Sequence, residues 1–191
     1  STNIKERHDH STAVMDLRGR LVVQAVESLP IHIASMNGLM ECVLEKFGDD
    51  ICQGDIFVAN DPHSAGGTHL PDINLATPVY LEGELQGFVC NIAHHADVGG
   101  MAPGSMAGGM SEIYQEGLRI PVIRLFRKGE LQKDILDLLL LNVRVPIERR
   151  GDYFAQISAC RLGERRLLEV IETYGSQTIQ RAFDEIIQRT G

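Results

Sequence analysis

The sequence predicts an α+β protein in which N-terminal β-hairpins and a mixed sheet carry a metal-binding loop, and helices fill the C-terminal third. Three observations support this. Short apolar runs bounded by glycine, proline and aspartate recur between Thr12 and Phe126 and read as strands. Beyond Leu131 the apolar residues recur at helical spacing. Between the two patterns, the stretch Asn60 to Gly109 holds four of the seven histidines and three aspartates among many glycines.

Taken in order, the first ten residues are polar, with the charged cluster Lys5 to Asp9, and read as a solvated lead-in. Thr12 to Met15 and Arg20 to Val23 flank Asp16-Leu17-Arg18-Gly19, a hairpin whose glycine takes the positive-φ position of the turn. Pro30 to Ile33 reads as a short extended piece. Ser35 is then the expected cap of a helix to Phe47, with Met36, Leu39, Met40, Val43, Leu44 and Phe47 on one face and Gly48 as the stop. Asp55 to Ala59 is a buried strand that delivers Asn60-Asp61-Pro62 to a loop.

Ile73 to Leu81 and Leu85 to His95 pair across Glu82-Gly83-Glu84 as a second hairpin. The glycine-dense run Val98 to Gly109 is an irregular loop, and its place between strands and helix favours a packed loop over a mobile linker. Ser111 caps a short helix to Gly117. Pro121 to Phe126 is a strand that turns at Arg127 to Glu130. Helices follow over Leu131 to Leu141, Ile147 to Tyr174 and Thr178 to Arg189, the second turning Tyr153, Ile157, Cys160, Leu167, Leu168 and Ile171 inward.

Length and composition narrow the function. A chain of 191 residues suits one domain with a real core. A net charge of −8 with no basic stripe argues against nucleic acid or an anionic membrane surface. No apolar run approaches the roughly 20 residues of a membrane span. The four cysteines show no C-x-x-C spacing, which fits reduced thiols and a cytoplasmic protein. The first residues already resemble mid-domain sequence, so the expectation is residues 1–191 as a single domain within a longer polypeptide.

The residue types around Asn60 to Gly109 suit a divalent metal, because imidazole nitrogen and carboxylate oxygen bind zinc at about 2.0–2.2 Å. His69-x-x-Asp72 is the tightest element, with Gly66-Gly67 allowing the backbone to curl just before it. His94 and His95 are neighbours on a strand and point to opposite faces, so only one joins His69 and Asp72 easily. Parity alone does not choose between them. Asp61 and His63 are further candidates, as ligands or as partners orienting a ring N–H.

At these residues the sequence resembles the hydantoinase B/5-oxoprolinase family, which includes the α subunit of acetone carboxylase. The resemblance is carried by Asn3 to Arg7 with Asp9 and Ser11, by Pro30-Ile31-His32, and by Gly54-Asp55 with Asn60-Asp61-Pro62. Further matches are Gly66 to Asp72, Ala93 to Gly100, Pro103-Gly104-Ser105, and Glu112 to Arg119. It implies a B-type subunit of an ATP-dependent enzyme that opens cyclic amides such as hydantoin or 5-oxoproline. An A-type partner subunit or domain would bind ATP and phosphorylate the substrate carbonyl, in a hetero-oligomer. No phosphate loop occurs in this chain, which fits ATP bound elsewhere. The resemblance also places the metal ligands on His69, Asp72 and His94, with manganese or zinc as the ion.

Candidate acid–base groups are His95, Asp97 and His32, with Glu112 and Glu116, four residues apart, facing the same pocket. The main rival is a ketone carboxylase of the acetone or acetophenone type. A second is a non-catalytic assembly module with a structural metal, for which Asp61 or His95 would close a four-ligand site.

Overall fold

The computed structural model describes residues 1–190. Seven strands form one sheet: β1 (His10–Met15), β2 (Leu21–Gln24), β3 (Ile56–Ala59), β4 (Asp72–Leu81), β5 (Glu84–His94), β6 (Ile123–Arg127) and β7 (Glu130–Leu131). The order across the sheet is β2-β1-β5-β4-β3-β6-β7. Every pairing is antiparallel where the sequence reading expected a mixed sheet. The tight turns at Gly19, Glu82-Gly83 and Lys128-Gly129, all at positive φ, impose that direction on three of the pairs.

The helices are α1 (Thr2–Lys5), α2 (Pro30–Phe47), α3 (Lys133–Leu141), α4 (Pro146–Tyr174) and α5 (Ser176–Thr190). They cover the sheet on both sides. On one face α2 sets Met36, Leu39, Met40 and Val43 against Met15, Phe57, Phe88, Cys90 and Ile92. On the other, Leu136 and Leu139 of α3 and Tyr153, Ile157 and Cys160 of α4 pack on Ile56, Val58, Ile73, Leu75 and Leu125. Ile179 and Phe183 of α5 join Leu167, Ile171, Val22 and Val89 farther along. Both faces of β4 are therefore buried over its first eight residues, which is why that strand reads as apolar without alternation.

The hairpins, the buried strand and the three late helices stand where the sequence placed them, to within a few residues at their ends. Four local expectations need correction. First, α2 starts at Pro30, and Leu29 is its extended N-cap. Proline at the first helical position needs no N–H partner and already has helical φ, so the extended geometry is confined to the residue before it. Ser35 is thus inside the helix, buried, with its hydroxyl on the Asn74 side chain. Second, the lead-in is not simply solvated: it forms α1, and Asn3 reaches His94. Third, Ser111 caps nothing; a single 3-10 turn over Ile113–Gln115 is capped by Glu112 and Gln115. Fourth, β6 begins at Ile123 rather than Pro121, since Pro121 has no N–H for a ladder.

The glycine-dense run is a packed loop. Ser105 Oγ accepts from Val98 N–H at 2.8 Å and donates to the Gly99 carbonyl at 2.9 Å, and Met101 N–H bonds the Gln115 carbonyl. Among the described residues no helix is long and apolar enough to cross a membrane.

Candidate metal centre

The site is built by register. In the β4–β5 ladder Asp72 lies directly opposite His94, so their side chains leave the same face of the sheet as close cross-strand neighbours. That face is the one α2 covers, because Cys90 and Ile92, in phase with His94, pack beneath α2. His95 falls on the α3/α4 face.

His69 arrives from the loop before β4. The loop can close because Gly66, at φ 68°, lies against Gly38 of α2. A Cβ on Gly66 would come within 2.4 Å of Gly38 backbone atoms, and one on Gly38 within 2.6 Å of Gly66 Cα. Asn60 staples the same loop, donating to the Leu70 and Leu118 carbonyls at 2.8 and 2.9 Å while its own oxygen accepts from Ile120 N–H at 2.6 Å.

The result is a cluster of His69, Asp72 and His94 whose ligand atoms lie within 4.8 Å of one another. The two imidazole rings meet edge-on at 5.1 Å between centroids. Asp72 is 2% exposed, and its Oδ2 accepts from Thr68 Oγ1 at 2.5 Å. His69 Nδ1 stands 3.0 Å from that same Oδ2, yet both His69 Nδ1 and Asp72 Oδ1 are buried without a hydrogen-bond partner. Leaving such groups unpaired costs about 1–3 kcal/mol each. Two imidazoles and a carboxylate whose ligand atoms converge, with His69 Nδ1 and Asp72 Oδ1 unpaired, fit the donor preference of zinc or manganese.

The electrostatics follow from the packing. The Asp72 carboxylate beside it raises the His69 pKa above the usual histidine value against the effect of burial. Burial pushes Asp72 up, but the His69 ring beside it and the bond from Thr68 outweigh it and hold the carboxyl below its usual range. On the opposite edge of the cluster, Asn3 Nδ2 meets His94 Nδ1 at 2.8 Å, which leaves Nε2 of that ring to face the cluster.

The other candidate residues divide sharply. His32 comes to the cluster: it is buried on α2, with Nε2 3.9 Å from Asp72 Oδ1 and 3.6 Å from Asp9 Oδ1. Burial pushes its pKa down. Glu116 is half-buried and close enough for its charge to raise His69. Glu112 is exposed and occupied in capping the 3-10 turn. Three residues of 3-10 helix do not set i and i+4 on one face, so the expected pairing of Glu112 with Glu116 fails on local geometry.

His95, Asp97 and Asp61 are engaged elsewhere. His95 Nε2 bonds Gln156 Oε1 of α4 at 2.9 Å and its ring packs edge-on against Tyr153; burial pushes its pKa down to about 4. Asp97 pairs with Arg144 at 2.6 Å and accepts from Arg144 N–H. Asp61 bonds the Arg119 guanidinium, which holds its carboxyl well below the usual range, and accepts from the His63 and Ser64 N–H groups. His63 itself is exposed. None of these three acids and imidazoles is in the cluster. Sequence reasoning missed Thr68, Asp9, Ser11 and Asn3 as neighbours of the site, although three of the four lie within the motif at the start of the chain.

Comparison with known proteins matches the whole of residues 1–191 to a single family, described as hydantoinase B/oxoprolinase. The chain belongs to the hydantoinase B/oxoprolinase family. Caprolactamase subunit beta of Pseudomonas jessenii is 37% identical over 94% of this chain and 30% of the relative. The crystal structure of the ATP-dependent caprolactamase from that organism superposes with a TM-score of 0.87 at 37% identity, covering 94% of this chain and 31% of that one. The nucleotide-free structure of acetone carboxylase matches with a TM-score of 0.90 at 24% identity, over 97% of this chain and 24% of that one, a likeness of fold. This hydantoinase B-type chain spans about a third of the length of the caprolactamase subunit it matches.

Proposed function

We propose that this chain is the metal-bearing part, acting as one domain, of a longer B-type subunit in an ATP-dependent hydrolase that opens cyclic amides. The observation that carries the reading is the pair of unpartnered buried atoms, His69 Nδ1 and Asp72 Oδ1, converging with His94. Relatives named for caprolactam point to a lactam or hydantoin as substrate class. ATP would be bound by an A-type partner that phosphorylates the amide carbonyl oxygen, in a hetero-oligomer that four free thiols suit to the cytoplasm.

His69, Asp72 and His94 would hold manganese or zinc, and the ion would supply Lewis acidity and activate water near neutral pH. The chain's own residues do the rest. Thr68 fixes one Asp72 oxygen so that the other faces inward. The Asn3 amide, whose Nδ2 lies 2.8 Å from His94 Nδ1, holds the His94 ring with Nε2 toward the cluster. His32 stands at the edge of the cluster, opposite the sheet, where a substrate oxygen can meet its Nε2. Asp61, through Arg119 and the turn amides, shapes the loop that carries His69.

Metal analysis of the chain purified without added metal, beside His69→Ala, tests the site. Near-stoichiometric manganese or zinc in the wild type, lost in the variant, is the expected result. A wild type that stays metal-free and cannot be reloaded would overturn the proposal. With the full subunit and its partner, ATP hydrolysis stimulated by lactams or hydantoins supports the hydrolase; stimulation by acetone with bicarbonate alone would assign a carboxylase instead.

A further inference from the structure

His32 is fixed in one orientation by a residue far from it in sequence. Ser11 of β1 is 1% exposed, and its hydroxyl has two partners. Leu29 N–H, the backbone amide just before α2, donates to Ser11 Oγ at 2.9 Å. His32 Nδ1 lies 2.9 Å from the same oxygen on its other side. A backbone amide can only donate, so the Ser11 proton has one acceptor available, His32 Nδ1. If Nδ1 carried a proton instead, the oxygen would receive two donors and its own proton would be buried with no acceptor, at a cost of about 1–3 kcal/mol. The same count excludes the doubly protonated ring. The single ring proton therefore sits on Nε2, which faces Asp9 Oδ1 at 3.6 Å and Asp72 Oδ1 at 3.9 Å, both beyond hydrogen-bond reach.

From this we infer that Ser11 is a positioning residue that locks His32 in its Nε2–H tautomer, so that His32 serves the centre as a hydrogen-bond donor to a ligand oxygen and not as a base. The ligand class is a polarised carbonyl, carboxylate or phosphoryl oxygen held over His69, Asp72 and His94. A donor fixed in advance at the point where negative charge gathers needs no reorganisation when the charge appears. The role toward a ligand rests on the proposed metal centre; the tautomer does not.

The test is long-range proton–nitrogen correlation spectroscopy on the nitrogen-15-labelled chain, with metal removed by chelator, His32 being assigned by comparison with His32→Gln. The wild type should show a downfield, unprotonated Nδ1 and an upfield, protonated Nε2. Ser11→Ala should collapse this pattern toward a mixture of tautomers, and Ser11→Thr should restore it. A protonated Nδ1 in the wild type overturns the inference even if Ser11→Ala fails to fold. Equilibrium dialysis with manganese or zinc separates the two proposals. Failure of the wild type to bind either ion would remove the metal centre and leave the tautomer standing. A wild type that binds metal while His32 Nδ1 is protonated would do the reverse.

Discussion

At His94 the two faces of one ring do different jobs: Nε2 faces the cluster and Nδ1 meets Asn3 at 2.8 Å. A partner that fixes ring orientation in this way typically costs 10–100-fold in metal affinity when it is lost. Asn3→Ala is therefore expected to weaken manganese or zinc binding by about that factor while leaving the melting temperature of the metal-free chain nearly unchanged. Competition with a chromogenic chelator measures the first and thermal unfolding the second; an unchanged affinity would remove Asn3 from the site. His95, one residue on, gives a pH-dependent effect. Its folded pKa is depressed by burial to about 4, against about 6.5 in an unfolded chain. Between those values the unfolded state binds a proton that the folded state refuses, so stability is full above about pH 6.5 and is lost as pH falls toward 4. The contribution is on the order of 3 kcal/mol. Denaturant titrations in chelator at several pH values should show a shallower acid slope for His95→Gln than for the wild type; equal slopes would assign the acid sensitivity to other groups, His32 among them. The sequence displayed His69, Asp72 and the His94-His95 pair openly, because those residue types cluster within a short span. Strand parity alone did not say which histidine faces the cluster, since parity needs the covering layers, and only the family resemblance pointed to His94. The sequence could not reveal Asn3, Ser11 or Gln156 as partners, because each contact joins segments from opposite ends of the chain or from different layers.

At the scale of elements, the cluster depends on how closely the His69 loop approaches α2. Gly38 and Gly66 touch backbone to backbone, and an added methyl on either would meet main-chain atoms that cannot rotate away. In an exposed helix interior, glycine to alanine ordinarily gains about 0.5–1 kcal/mol. Gly151 of α4, with open space at its Cβ position, should behave so. Gly38→Ala should reverse the sign, losing roughly 1–3 kcal/mol as an overpacked contact, and should release bound metal because the loop carrying His69 is pushed off the helix. Urea unfolding of both variants, with metal content read alongside, checks the pair; stabilisation by Gly38→Ala would show that the loop is free to move. Element boundaries were legible where one residue type decides them. Gly19, Gly48 and Gly175 mark a turn and two helix ends, and all three stand at positive φ. They were less legible at Pro30, where extended geometry is imposed on the preceding residue while the proline itself opens the helix. The short turn at Ile113–Gln115 shows the same limit: its helical spacing is real but too brief to fix which side chains share a face.

Across the whole molecule, the cluster draws its three side chains from the loop after β3, the start of β4 and the end of β5, which only the folded chain brings together. Unfolding separates all three, so an ion held by His69, Asp72 and His94 binds the folded chain and not the unfolded one. Mass action then requires that metal raise stability by about 2.7 kcal/mol when free ion is a hundredfold above its dissociation constant. For a chain of this size each kcal/mol moves the melting temperature by about 2–4 °C, so the expected rise is roughly 5–10 °C, growing with the logarithm of metal concentration. His69→Ala and Asp72→Asn should abolish that dependence. His69→Ala also deletes an unsatisfied buried atom, His69 Nδ1, so that variant without metal should melt at or above the metal-free wild type. This combination separates a functional centre from a merely structural polar cluster. A cluster that serves stability alone would lose stability when His69 or Asp72 is removed, and would show no metal dependence in the wild type. A built centre keeps its unpaired atoms at a cost to the apo fold, recovers that cost when the ion binds, and leaves the variants stable but indifferent to metal.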